Sequence, residues 1–422
     1  MELKANADGS LLLTKEALDA LNISLTPDSS VLIGGYPDSP TRAHSPLGLE
    51  IRATSPQLRR VYIEPTTKCN LRCTTCIRNT WNEEFTNLDW DVFESLIDEL
   101  KGAPQLEKIS FWGYGEPLLH PRIASMVAAA HGLGVKTQII SNGTLLSEAM
   151  ASDLLDAGLS SIIVSLDGAG SQSYEGVRRG ADYDVVVRNL RQLVRLRRRR
   201  AVNRTGSTSV EVGIEYVAQA STIDQIADIH ALAADIGVDF VFVSNVLPFR
   251  ANDQDELLYA ASVYGQRKTP RIYLPPMDNK GGAAEAIARM MAPDEPIHYL
   301  QQAPSACGGY CPFVGEGSVV IGASGQVAPC MALLHSAPCF VMGRKKAMNA
   351  CEFGNLSESS LGAIWDDGCY RAFRERVQRF DFAPCVQCTG CKKAKDNGRD
   401  CHGSPFPSCG DCLWAQGVIQ CP

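Results

Sequence analysis

Three cysteines spaced C-x3-C-x2-C, namely Cys69, Cys73 and Cys76, stand in the segment EPTTKCNLRCTTC, directly after a strand-like apolar run. Three thiolates on one short loop can hold three corners of a cubane iron–sulfur cluster and leave its fourth iron open to a substrate or second cofactor. Structural zinc is the competing reading. It closes a tetrahedron with four ligands, and no further Cys or His lies close by in the sequence.

A second cysteine region follows far downstream. The chain has 16 Cys in 422 residues, with none between Cys76 and Cys307 and thirteen from there to Cys421. Candidate ligands are Cys311, Cys330 (in a G-x4-C with Gly325), Cys385, Cys388 and Cys391 of CVQCTGC, then Cys401, Cys409, Cys412 and Cys421, with Cys307 as a further candidate. Eight thiolates fill two 4Fe–4S clusters, but spacing does not sort these residues between them. Cys385/Cys388 and Cys409/Cys412 also read as C-x2-C-x20-C-x2-C, a zinc-ribbon spacing that would leave the other cysteines unexplained. Cys339, Cys351 and Cys369 have no motif partner and read as small apolar residues. A chain this long without an export signal is expected to keep its thiols reduced, which favours metal over disulfides.

Polar residues recur where apolar runs end. WGYGEP carries Gly115, Glu116 and Pro117, IISNG carries Ser141 and Asn142, VSLDG carries Ser165 and Asp167, and YEGVRRG carries Arg178. Glu215 and Asn245 close two later runs. With the Cys loop after the first strand, this pattern resembles the radical S-adenosylmethionine superfamily. The resemblance implies a 4Fe–4S cluster on Cys69, Cys73 and Cys76. It further implies that Gly115, Glu116 and Pro117 bind the methionine amino group and that Ser141, Asn142, Ser165, Asp167 and Arg178 complete the cofactor site. One electron then breaks a carbon–sulfur bond of S-adenosylmethionine, and the 5′-deoxyadenosyl radical takes hydrogen from a substrate. The residue before the third cysteine is commonly aromatic in this family; here it is Thr75, so no adenine contact is carried over to it.

The elements that must position these residues are legible as alternation. The runs VYIEP, KISFWG, VKTQII, SIIVSL, VEVGIEYV and FVFVSN read as strands, separated by amphipathic stretches such as WDVFESLIDEL and TIDQIADIHALAADIG. Six βα units in a row predict an α/β fold, a partial (βα)6 TIM-type barrel whose strand ends carry the polar residues. The expected divisions are a small α+β module and linker over 1–55, the core over 56–250, a connector over 251–305, and a Cys-rich domain over 306–422. The last is too poor in apolar runs for a large core of its own, so metal should supply much of its folding energy. Residues 1–55 faintly resemble swapped-hairpin DNA-binding modules but lack a basic face; docking or dimerisation is the plainer role. The arginine run at 195–200 reads as a solvated helix end.

The segment 310–422 resembles the SPASM extension, which implies one or two auxiliary 4Fe–4S clusters and a peptide or protein substrate. GDCLWAQGVIQCP and CIRNTW further resemble the tungsten-cofactor oxidoreductase maturases, which implies a companion tungsten–pterin oxidoreductase. Maturation of a ribosomally made peptide is the alternative, and a non-catalytic iron–sulfur electron carrier the reading outside enzymology. A flavodoxin- or ferredoxin-type electron donor is expected in either enzymatic case. A net charge of −7 argues against a nucleic-acid partner. No apolar run approaches the ~18 residues of a membrane span, and the charged start MELKANADGS does not resemble a signal peptide, so a soluble cytoplasmic protein is expected.

Overall fold

The alternating pattern forms the expected elements. The structure is a computed structural model that describes residues 31–35, 49–53, 57–203, 210–258, 264–265, 271–273, 297–298, 310–341, 344–383, 385 and 392–420. Two strands, Val31–Gly35 (β1) and Leu49–Ala53 (β2), pair antiparallel; the rest of the module expected over 1–55 lies outside the described residues. The core runs Arg60–Ile63 (β3), Trp90–Leu100 (α1), Lys108–Phe111 (β4), Ile123–His131 (α2), Lys136–Ser141 (β5), Glu148–Asp156 (α3) and Ser161–Ser165 (β6). It continues through Ser171–Val177 (α4), Tyr183–Asn203 (α5), Glu211–Ala218 (β7), Ile226–Ile236 (α6) and Phe240–Asn245 (β8). β3 to β8 lie in sequential order and all pair parallel. An order without reversal, with a helical crossover between each pair, is that of a partial barrel and not of a doubly wound sheet.

Local chemistry explains the elements. In α1, Asp89 caps the N-terminus by accepting from the backbone N–H groups of Asp91 and Val92. Phe93, Leu96, Ile97 and Leu100 then fall on one face and are buried. β8 is buried along its whole length, which is why its sequence is an apolar run with no alternation. The arginine run divides: Arg195, Arg198 and Arg199 are exposed as expected, whereas Arg197 and Arg200 form ion pairs with Asp239 and Asp156.

The connector contributes short strands Tyr264–Gly265 (β9), Arg271–Tyr273 (β10) and Ile297–His298 (β11); β10 extends the sheet beside β8. The Cys-rich segment joins the same sheet. A short helix Pro312–Gly315 (α7) leads into Ser318–Ile321 (β12), which adds parallel to β3, and Gln326–Ala328 (β13) returns antiparallel. Gly325 turns this hairpin at φ +82°, a conformation that favours glycine. A further hairpin, Ala337–Val341 (β14) and Arg344–Met348 (β15), the strand Gly354–Asn355 (β16), and helices Leu361–Trp365 (α8) and Gly368–Arg379 (α9) complete the described elements. Phe313, Val319, Met331, Tyr370, Phe373 and Trp414 share one continuous apolar core with the barrel strands. The segment therefore solves its shortage of apolar residues by extending the barrel's sheet and core.

Candidate cofactor and cluster sites

The cysteine loop is fixed by the glycine loop beside it. Glu116 donates its backbone N–H to the carbonyl of Lys68 at 2.8 Å. A Cβ on Gly115 would lie 2.0 Å from the Thr66 carbonyl oxygen, so only glycine permits this approach. The Glu116 carboxylate is turned inward. It accepts from the Ser141 hydroxyl at 2.7 Å, the Asn142 backbone N–H at 2.7 Å and the Leu118 N–H at 3.0 Å, which ties the glycine loop to the end of β5. Pro117 starts the short 3-10 turn that follows.

Around the cysteines the donors point toward sulfur. The Leu71 N–H lies 3.4 Å from Cys69 Sγ and Asn142 Nδ2 lies 3.8 Å from it. Asn142 is itself oriented by Asn70 and Thr144. Burial pushes the Cys73 thiol up to about 11 against the opposing pull of Arg178, and raises Cys69 and Cys76 in the same direction. Arg178 pairs with Asp167 at 2.7 Å, while the Val217 N–H donates to the other Asp167 oxygen at 3.1 Å. Burial works against the Arg178 charge, but Asp167 and then Cys73 outweigh it and raise its pKa. Ser165 donates to Glu215 at 3.0 Å, and burial raises the Glu215 carboxyl. These expected residues thus converge on one barrel mouth. Asn245 reaches elsewhere: its Nδ2 donates to the Val418 carbonyl at 2.7 Å and pins the C-terminal tail across the end of β8.

The downstream cysteines are sorted by the fold. Cys311, Cys330, Cys409 and Cys412 line one apolar pocket with Phe313, Leu333, Phe373 and Trp414. Burial pushes Cys311 up to about 12 and raises the other three, and neighbouring thiols add to the effect at Cys311, Cys330 and Cys409. Four thiols in an apolar enclosure form a donor set suited to a 4Fe–4S cluster. Among the described residues no group of three or more His, Cys, Asp or Glu is placed to hold a metal ion. Cys409 and Cys412 line that pocket with Cys311 and Cys330, whereas Cys385 lies near Asp411, Lys346, Asp400 and Cys401. Cys307, Cys388, Cys391 and Cys421 lie outside the described residues. Cys339 and Cys351 are buried, as expected of small apolar residues, but Cys369 is exposed at the start of α9.

Two clusters escaped the sequence reading. His335, which is 3% exposed, stands 2.7 Å by Nδ1 from Glu83 and 3.0 Å by Nε2 from Glu64, with Trp81 packed on its ring at 4.2 Å. Glu64 also accepts the Tyr114 N–H at 2.8 Å. The second is a buried ion pair between Lys346 and Asp411, beside Cys339, Cys385 and Cys412. Each unites segments far apart in the chain, and no spacing signals either.

The chain matches the Radical SAM superfamily model over residues 63–217 and the SPASM iron–sulfur cluster-binding domain over 311–392. It belongs to the radical SAM superfamily. It is a radical SAM/SPASM enzyme, and the cofactors of that class are S-adenosylmethionine and 4Fe–4S clusters. The chain is 28% identical over 368 residues to the tungsten-containing aldehyde ferredoxin oxidoreductase cofactor-modifying protein of Pyrococcus furiosus, covering 86% of this chain and 97% of that one. It is 25% identical over 369 residues to the PqqA peptide cyclase of Xanthomonas euvesicatoria pv. vesicatoria, covering 85% and 87%. Among solved structures, Streptococcus suis SuiB bound to S-adenosylmethionine superposes with a TM-score of 0.53 at 16% identity, over 80% of this radical SAM chain and 71% of SuiB. That likeness concerns the fold. No helix among the described residues is long and apolar enough to cross a membrane.

Proposed function

We propose that this radical SAM enzyme reductively cleaves S-adenosylmethionine and modifies a peptide or protein, as a maturase for a tungsten-cofactor oxidoreductase. The observation that carries the chemistry is the three-thiol loop locked against the glycine loop at the barrel mouth. The substrate side rests on similarity along nearly the whole length of a protein named for modifying the tungsten oxidoreductase cofactor. When bound, the cluster and S-adenosylmethionine supply a 5′-deoxyadenosyl radical that takes a hydrogen atom from the substrate.

The chain's own residues hold and shield that chemistry. Cys69, Cys73 and Cys76 ligate three irons, and Arg178 balances thiolate charge while held by Asp167. The Glu116 carboxylate accepts three hydrogen bonds that fix the glycine loop, and recognition of the methionine amino group is assigned to Gly115, Glu116 and Pro117. Asn142, Ser141, Ser165 and Glu215 line the mouth, and the tail held by Asn245 helps exclude water. Cys311, Cys330, Cys409 and Cys412 hold one auxiliary cluster, and Cys385, Cys388, Cys391 and Cys401 a second, which leaves Cys307 and Cys421 in reserve. The divisions at 1–55, 56–250, 251–305 and 306–422 are retained as functional units, although one sheet runs through the second and fourth. The electron donor is a flavodoxin- or ferredoxin-type protein.

A second reading, maturation of a ribosomally made peptide, is favoured by the full-length similarity to a peptide cyclase. The test common to both is anaerobic reconstitution with iron and sulfide, then dithionite and S-adenosylmethionine, with 5′-deoxyadenosine followed by chromatography. The product should form and should vanish in the Cys69→Ala/Cys73→Ala/Cys76→Ala variant, which should lose about four irons. No product from a protein with reducible clusters would leave an electron carrier. Hydrogen loss from the companion protein of a tungsten oxidoreductase, and not from a short precursor peptide, decides between the two substrates.

A further inference from the structure

The face that α9 buries carries one charge that the fold does not match. Tyr370, Phe373, Arg374 and Val377 recur on that face at helical spacing and are buried. Arg374 is only 1% exposed. Its guanidinium stacks 3.9 Å from the ring centroid of Trp365 and 4.4 Å from that of Tyr370. Its Nε and Nη1 atoms nevertheless have no hydrogen-bond partner among the described residues. Burial lowers its pKa, against Tyr370 and the exposed carboxylate of Asp366, which acts at longer range than an ion pair. A guanidinium enclosed without a paired anion is costly, and stacking on two rings offsets only part of that cost.

The same helix face borders the auxiliary thiols. Phe373 and Val377, one position before Arg374 and three after it, line the apolar pocket of Cys311, Cys330, Cys409 and Cys412. Tyr370 is within reach of both partners: burial raises its phenol, Arg374 pulls the other way, and charge at Cys330 adds to the rise. The other charges around the pocket are already matched. Lys346 pairs with Asp411 and Glu316 with Arg60. Arg376 donates to the Pro407 carbonyl at 3.0 Å and feels Asp400 and Asp381 beside Cys409. A 4Fe–4S core on four thiolates is an anion that gains one more negative charge on reduction, and the charge around it is among the quantities that set its potential.

We infer that the buried guanidinium of Arg374 is the countercharge of the auxiliary cluster on Cys311, Cys330, Cys409 and Cys412, and that it raises that cluster's reduction potential. The inference rests on the proposed ligand set. A fixed positive charge favours the reduced form, which carries one more negative charge than the oxidised form. Apolar surroundings screen that attraction weakly, so one unit charge on the neighbouring helix face is enough to be read in the potential.

The test is a redox titration of the reconstituted holoenzyme followed by electron paramagnetic resonance. The signal to follow is the one that Cys409→Ser/Cys412→Ser removes. In Arg374→Gln the ratio of reduced to oxidised cluster at a fixed potential should fall about tenfold, which is a midpoint about 59 mV lower for one electron. Arg374→Lys keeps the charge and should restore most of the wild-type value. Arg371→Gln, at an exposed position one turn earlier on α9, should leave it unchanged. An unchanged midpoint in Arg374→Gln overturns the inference. So does an equal shift in Arg374→Gln and Arg374→Lys, which would assign the effect to packing on Trp365. Should Arg374→Gln fail to hold the cluster, Arg374→Met, with an apolar chain against Trp365, is titrated in its place. Loss of the cluster from both neutral variants and not from Arg374→Lys also supports the inference, whereas loss from all three overturns it by assigning Arg374 to the fold. If Cys409→Ser/Cys412→Ser removes neither iron nor signal, the proposed ligand set fails first and the inference with it.

Discussion

Gly115 shows how closely one residue can govern the site. A methyl group there would meet the Thr66 and Lys68 carbonyl oxygens at 2.0 and 2.7 Å, and both are backbone atoms that cannot swing away. Gly115→Ala should therefore push the cysteine loop off the glycine loop, at a cost of about 1–3 kcal/mol. The expected result is a lower melting temperature and loss of the change that S-adenosylmethionine causes in the first cluster's electron paramagnetic resonance, with the auxiliary signals intact. Gly102→Ala, where the nearest atom is 3.4 Å away, is the control and should change neither. Lys346 and Asp411 make a second residue-scale case, because both are buried to within a few per cent of full enclosure. Lys346→Met alone removes the ammonium paired with a buried carboxylate and should cost about 3–5 kcal/mol in denaturant unfolding, while Lys346→Met/Asp411→Leu should recover most of it. An equally severe double variant would mean that the pair is needed for more than mutual neutralisation.

At the scale of elements, the barrel was legible because its signals are local and repeated. Each strand is an apolar run closed by a polar residue, and each helix has its own cap and apolar stripe, as α1 has in Asp89 and Phe93 to Leu100. The Cys loop and the glycine loop were legible for the same reason, since their spacing lies within a few residues. Contacts between distant elements carry no such mark. Nothing in the sequence joins Glu64 after β3, Glu83 in the following loop and His335 before β14, yet together they fasten the Cys-rich segment to the barrel. Burial alone would lower the His335 pKa, but hydrogen bonding and charge from Glu64, then Glu83, outweigh it and raise it above its ordinary value. A raised folded-state value means that the imidazolium is favoured in the fold. Its stabilisation is complete below the unfolded pKa of about 6.5 and is lost as the pH rises through the folded value. The melting temperature gap between wild type and His335→Gln should then be widest near about pH 5.5 and should narrow toward about pH 8.5. A gap that stays constant with pH would assign His335 a packing role on Trp81 alone.

At the scale of the whole molecule, the pairing of the Cys-rich segment with the barrel is invisible in the sequence. β12 carries only four residues, Ser318 to Ile321, and its partner β3 lies more than 250 positions earlier. Such a pairing fuses two regions into one sheet without leaving a periodic trace. The tail is joined to the barrel as well, through Asn245 to Val418 and Ser244 to Gln420. Cys409 and Cys412 sit just before this anchored stretch, so loss of the cluster proposed on them should loosen the tail at the barrel mouth. Cys409→Ser/Cys412→Ser should therefore lose about four irons and show faster amide exchange over 409–420 and over the C-terminal end of β8. Cys385→Ser should also lose iron but leave exchange at β8 unchanged, because the charged neighbours of Cys385 are Asp411, Lys346 and Asp400 and not Ser244 or Asn245, which join the tail to β8. Equal exchange at β8 in the two variants would mean that the tail is held by the shared apolar core around Leu413 and Trp414 and not by the metal. In that case removing iron by chelation would leave the barrel mouth covered, and the SPASM clusters would act on electrons alone.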